Sequence, residues 1–303
     1  MHPTSDWDMR GRTVLVTGGT GGIGFATARA LVQAGANVIV TGRDAHRGEE
    51  ALRELRREGG DASATFIPAD HSTVGGNQEL AVRVRACWSG LDVLINNVGG
   101  LTESRHVTPD GYESTLAMNL VGPFALTAEL LPLLQTNAAP RCVIVTSAAF
   151  QMCKHDPFDD VQSTAQPFIG AHAYAQSKLF NLLFGLSLAR RLADDQIRVN
   201  MVHPGITWTD MTRSQTWHTN PSWRWIWPVM RLITRHGSPE KAARRVTFLA
   251  CAPAAGDYTG EYFERRHTPK RLGPRELDRN NQDRAYQLAE DLVASAPTRK
   301  LKT

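Results

Sequence analysis

The stretch Thr13-Val14-Leu15-Val16-Thr17-Gly18-Gly19-Thr20-Gly21-Gly22-Ile23-Gly24 decides the fold. Its first four residues form a near-continuous apolar run, as in a strand buried on both faces. A tight strand-to-helix turn then needs glycines that tolerate positive φ. A pyrophosphate lying on such a turn needs close backbone approach, and the following helix offers it free N–H groups and the positive end of a dipole. The glycines are spaced Gly-x-x-x-Gly-x-Gly rather than the Gly-x-Gly-x-x-Gly of many dinucleotide folds. Their position between strand and helix is what makes them a candidate nucleotide site.

Outward from this turn, short β-rich runs alternate with amphipathic stretches for about 200 residues. Strands are expected at Thr13–Thr17, Asn37–Thr41, Ala64–Ala69, Asp92–Asn96, Arg141–Ser147 and Ile197–Val202. Helices are expected over roughly 23–34, 44–58, 77–88, 110–135 and 172–193. This rhythm predicts an α/β fold, a doubly wound parallel sheet (Rossmann-like) in a single domain. Residues 1–12 read as an N-terminal extension, 13–263 as the domain, and 264–303 as a charged, solvated C-terminal tail with one short helix near 281–294. Two regions break the rhythm: an irregular stretch at 148–171 and a Trp-rich insert at about 206–237.

The second strand ends at Thr41-Gly42-Arg43. Folds that prefer NAD place an acidic residue there to hold the ribose hydroxyls. Arg43 is instead suited to the 2′-phosphate of NADP, as a permanent planar cation. Asp44, directly after it, blurs that signal.

Composition narrows the remaining classes. The 303 residues are 42% hydrophobic and 21% charged, with a formal net charge of +4. Nothing there calls for nucleic acid as a partner. Four cysteines (87, 142, 153 and 251) lie scattered without a Cys-x-x-Cys pair, which argues against a disulfide framework or zinc site and for a reducing cytoplasm. No metal site is expected. No signal peptide and no membrane span are expected either. Only six lysines accompany the many arginines and alanines, a bias that points to a GC-rich bacterial genome.

Further motifs follow in order. Asn96-Asn97-Val98-Gly99 follows the fourth strand, Asn119 lies in the helix after it, and Ser147 ends the fifth strand. Tyr174-Ala175-Gln176-Ser177-Lys178 opens the next helix, and His203-Pro204-Gly205 follows the sixth strand. This ordered set resembles the short-chain dehydrogenase/reductase family over about residues 10–263. The stretch around Tyr174 and the long gap before it are most similar to the retinol-dehydrogenase-like branch.

The resemblance implies an enzyme that moves a hydride between NADP(H) and a carbonyl or alcohol on a small molecule. Tyr174 and Lys178 share a helical face. A neighbouring ammonium favours the phenolate, so Tyr174 is expected to have a lowered pKa and to act as general acid or base. Ser147 would hold the substrate oxygen. Asn119 would hold a water linking Lys178 to solvent, and Lys178 would also bind the nicotinamide ribose. The same resemblance implies cofactor contacts for Gly18, Thr20, Gly22, Ile23, Gly24, Arg43, Asp70, His71, Asn97, Val98, Gly99, Pro204, Gly205, Thr207 and Thr209. Asn96 and His203 read as structural.

On the substrate side, Phe150, Met152, Cys153, His155, Phe158, Phe168 and His172 are candidate pocket walls. Trp208, Trp217, Trp223, Trp225 and Trp227 form a candidate lid over a bulky apolar substrate. Epimerase or dehydratase chemistry on the same fold, and a non-catalytic NADP-binding regulator, stand as alternatives. A homo-oligomer, pairing through the helices near 110–135 and 172–193, is expected by the same resemblance.

Overall fold

The computed structural model describes residues 7–59, 62–205, 238–265 and 267–297. The lid insert and its tryptophans, with Thr207 and Thr209, lie outside the described residues.

Seven parallel strands form one sheet in the order β3-β2-β1-β4-β5-β6-β7. They are β1 (Thr13–Val16), β2 (Asn37–Gly42), β3 (Ala64–Pro68), β4 (Val93–Asn96), β5 (Arg141–Val145), β6 (Arg198–Val202) and β7 (Tyr262–Phe263). The first six fall where apolar runs predict them. Strand β7 has two residues and is recognisable only by its pairing, Met201 with Tyr262 and Val202 with Phe263.

Alternation sorts the strand residues into two cores. Leu15, Ile39, Leu94 and Ile144 face α3 (Val74–Cys87), α4 (Ser114–Leu134) and α5 (Gly170–Arg191). Val14, Val16, Val38, Val40, Ile95 and Val143 face α1 (Gly22–Gln33), α2 (Ala45–Gly59) and α6 (Pro239–Cys251). Both faces are covered, so the strands read as continuous apolar runs.

Two expectations need correction. The solvated tail contains α7 (Arg279–Ser295), whose Ala285 and Ala289 are fully buried in the core beside α5. Its Tyr286 ring meets Phe124 edge-on at 5.1 Å, and Arg190 pairs with Asp283 at 2.6 Å. The charges that made the segment look solvated lie on its outer face. The N-terminal extension joins the domain by residue 7: Trp7 packs on Phe248, and the Met9 N–H donates to Ala34 O. Separately, α4 is long and apolar enough to cross a membrane, with a mean hydropathy of 1.4, but 72% of that stretch is buried inside the fold. Its apolar character is that of a core helix touched on several sides.

The chain leaves β1 toward β2 and β3 on one side, and β4 carries it to the other. The topological switch therefore lies between β1 and β4, where open α/β sheets bind ligands beyond the carboxyl ends of their strands.

Candidate active site

At that switch point the glycine turn is built by close contact. Gly18 adopts φ +65°. A Cβ on Gly24 would fall 2.2 Å from Gly18 O, so only glycine lets α1 start this close to the turn. Thr17, a residue without an assigned role in the sequence reading, stitches the neighbouring loop to it. Its hydroxyl accepts from the Asn97 and Val98 N–H groups at 2.9 and 3.0 Å and donates to Ile95 O. Asn97 Nδ2 donates to Thr17 O at 2.8 Å.

Gly18, Thr20, Gly22, Ile23, Gly24, Arg43, Asp70, His71, Asn97, Val98 and Gly99 all border a single cleft of about 390 Å³. Gly21, Gly42, Asp44, Arg47, Ser72 and Met118 complete its lining. Arg47 is the notable addition: it lies four residues beyond Arg43, in the first turn of α2, and its Nη2 would be 2.9 Å from a Cβ on Gly21. Asp44 turns its carboxylate to the Arg47 N–H at 3.1 Å, as a cap of α2. That local engagement accounts for an acidic residue beside Arg43.

His71 borders the cleft and has a structural part as well. It is buried and bonded at both ring nitrogens, to Thr41 Oγ1 at 2.7 Å and to Asn77 Oδ1 at 2.8 Å. Asn77 Nδ2 in turn donates to His71 O and Thr73 O. Thr41 Oγ1 also receives the Gly18 N–H. The imidazole thus braces the glycine turn against α3, and burial holds its pKa below the usual histidine value. Asp70 stays exposed and uses Oδ1 to fold the next turn, accepting from the Ser72 N–H and hydroxyl.

Beside the cleft lie the four acid–base candidates. Lys178 is 3% exposed, and its Nζ donates to Val145 O at 3.0 Å. Its ammonium lies 5.8 Å from the centroid of the Tyr174 ring. Burial pushes the Lys178 pKa down to about 7. Burial raises the Tyr174 pKa, and the nearby Ser147 side chain offsets only part of that rise. This reverses the expectation of an activated phenolate: desolvation wins, and a lysine held near 7 is charged only about half the time at neutrality. Ser147 Oγ accepts the Ala149 N–H at 3.2 Å and so caps the turn that follows the strand.

Asn119 is fully buried and engaged at both ends of its amide. Oδ1 accepts from the Gly100 N–H at 3.1 Å, while Nδ2 donates to Gly100 O and to Ser177 Oγ, each at 2.9 Å. Asn119 therefore braces the loop carrying Gly99. A Cβ on Gly99 would sit 2.8 Å from Asn119 Oδ1 and 2.9 Å from Lys178 Nζ, so Asn119, Lys178 and the cleft meet at that point. Asn96 joins β4 to α4 through Thr127 at 2.9 Å, as its structural reading implies. Pro204 and Gly205 leave the same carboxyl edge of the sheet after β6, and Arg245 on α6 donates to Pro204 O. His203 is half-buried, its pKa pushed down to about 4 by desolvation.

Of the expected pocket walls, Met152, Cys153, His155, Phe168 and His172 border a second cavity of about 420 Å³. Phe150 and Phe158 do not; they pack edge-on against Tyr262 and Phe180 in the core. Gln176, inside the Tyr-x-x-x-Lys spacer, pins the wall by donating to Pro157 O and Asp160 O. His172 and Gln176 lie two residues either side of Tyr174, roughly 160–200° round the helix from it, so this cavity opens on the other face of α5. Among the described residues, no group of three His, Cys, Asp or Glu is placed to hold a metal ion.

Residues 18–264 match the family described as enoyl-(acyl carrier protein) reductase. The chain is similar to mouse polyprenol dehydrogenase, 35% identical over 87% of this chain and 78% of that one. It is also similar to human retinol dehydrogenase 13, 34% identical over 84% of this chain and 76% of that one. Among solved structures, the Pseudomonas aeruginosa RhlG/NADP active-site complex aligns with a TM-score of 0.68 at 27% identity, covering 93% of this chain and all of that one.

Proposed function

The chain belongs to the short-chain dehydrogenase/reductase family, and on that premise we propose that it is an NADP(H)-dependent oxidoreductase interconverting a carbonyl and an alcohol on a bulky, largely apolar small molecule. One observation carries the reading. Tyr174, near the Ser147 side chain, lies one helical turn from Lys178, whose ammonium reaches the Gly99 edge of a glycine-turned cleft of nucleotide size.

The residues fit a dinucleotide. A Cβ at Gly24 would fill the turn, and the α1 N-terminus opens onto the cleft. Arg43 and Arg47 border the end of β2, where an acidic residue would repel a 2′-phosphate. Lys178 would reach the nicotinamide ribose. The nicotinamide, when bound, supplies the hydride. Tyr174, its pKa raised by burial, keeps its proton through neutral pH and can give it to a reduced carbonyl oxygen. Ser147 donates to the same oxygen as charge develops on it. The substrate class is supported by relatives named for retinol and polyprenol, both long apolar alcohols.

The test begins with NADPH and NADH titrations followed by nicotinamide fluorescence. NADPH should bind tightly and NADH weakly, and Arg43→Ala should weaken NADPH by roughly 10- to 100-fold while barely changing NADH, the scale of a lost charge-assisted bond. Equal losses for the two cofactors would remove the 2′-phosphate assignment. In a panel of apolar aldehydes and ketones, Tyr174→Phe should lower turnover by roughly 10²- to 10⁴-fold with NADPH binding kept. Full turnover in that variant would sink the mechanism.

A further inference from the structure

Within α4 the backbone leaves α-helical pairing at Ala117–Val121, a π-turn in which the Gly122 N–H reaches back to Ala117 O. Such turns mark functional positions in helices. Asn119 stands at its centre. Four residues on is Pro123, which has no N–H to donate and whose ring crowds the carbonyl of residue i−4 in a regular helix. Pro123 therefore offers the Asn119 carbonyl no i+4 N–H.

A donor comes from another helix. Asn181 on α5 donates from Nδ2 to Asn119 O at 2.9 Å. Asn181 is 2% exposed. It lies three residues beyond Lys178 and seven beyond Tyr174, on the same helical face. From Asn119 the network continues: its Nδ2 donates to Ser177 Oγ, and Ser177 Oγ donates to Tyr174 O. Asn181, Asn119 and Ser177 therefore tie the π-turn of α4 to the turn of α5 that carries Tyr174.

We propose that Asn181 is a positioning residue for the reaction: its amide fills the gap that Pro123 leaves in the π-turn, and so holds the Asn119 side chain against Gly100 and Ser177. This rests on Tyr174 and Lys178 being the acid–base pair. Loss of the donor frees Asn119 to move, and with it the loop carrying Gly99 and the Tyr174 turn. A core asparagine that merely filled space would affect stability alone.

The argument from Pro123 supplies its own rescue. Pro123→Ala restores an N–H at the i+4 position of Asn119. Full-length wild type, Asn181→Leu and the Asn181→Leu/Pro123→Ala double variant are compared for NADPH affinity, for steady-state reduction of all-trans-retinal and by crystal structure. Asn181→Leu should lose about 10- to 100-fold in kcat, the scale of a misplaced catalytic group, with NADPH affinity kept. Asn119 Nδ2 should then have left Ser177 Oγ in the variant crystal. The double variant should recover kcat and the Asn119–Ser177 bond, and it serves in place of the single variant if that one does not fold. Unchanged kcat with Asn119 in place, or a kcat loss that the double variant leaves uncorrected, overturns the inference. If the wild type reduces no carbonyl, the functional reading fails on its own, and the position of Asn119 in the crystals still decides the part played by Asn181.

Discussion

Lys178 is a buried cation whose Nζ hydrogen bond runs to one backbone carbonyl, that of Val145. Its pKa lies near 7 in the fold against 10.5 for a free lysine, so between those values the unfolded chain binds more protons. Its contribution to stability therefore rises with pH across that window and is least favourable below it. Lys178→Met is expected to abolish reduction and yet stabilise the fold near pH 7 by about 1–4 kcal/mol, as apolar replacement of buried ions often does. Thermal unfolding at pH 7 and pH 10 checks this: the gain should shrink at the higher pH. A variant that melts lower at both would show that the ammonium is satisfied by its surroundings. The Tyr174–Lys178 spacing was legible in the sequence, but the direction of the tyrosine shift was not. Spacing places two groups near each other; only the fold shows how deeply both are buried, and burial sets the direction of each shift.

At the scale of elements, the strands were the most legible because burial on both faces leaves continuous apolar runs. The glycine turn was equally plain, since close approach excludes every side chain. Gly24→Ala places a Cβ 2.2 Å from Gly18 O, so the turn must open. NADPH affinity should fall at least tenfold, roughly one to two lost backbone–phosphate bonds, with the far-UV circular dichroism kept. Native affinity in that variant would remove the turn from the cofactor site. The π-turn of α4 was hidden: its residues are apolar nearly all round, so periodicity shows a helix over 110–135 but no break within it. Pro123 was the one mark in the sequence. Arg47 was missed because an exposed arginine on a helix carries no signal until the helix is seen to start beside Gly21.

For the whole molecule, α7 changes the picture of assembly. It lies across α5 and meets α4 through Tyr286 and Phe124, and the Tyr112 hydroxyl bonds Leu292 O at 2.5 Å. The helices expected to pair between chains are thus covered, on this face, within one chain. Light scattering on the full-length protein should give a monomer. Ala285→Arg with Ala289→Arg, which drives two charges into fully buried sites, should lower Tm by several degrees and produce larger species. A full-length dimer with α7 in place would assign association to another face. By itself the sequence determined the parallel α/β order, the glycine turn and the ordered set Asn119, Ser147, Tyr174 and Lys178, because strand periodicity, glycine geometry and helical spacing are local properties. The tertiary structure decided that His71 braces the turn, that Arg47 joins the cleft, that Asn181 supports Asn119 and that the charged C-terminal segment is half core. Each of these depends on contacts between residues far apart in the chain, and on desolvation, which no local pattern encodes.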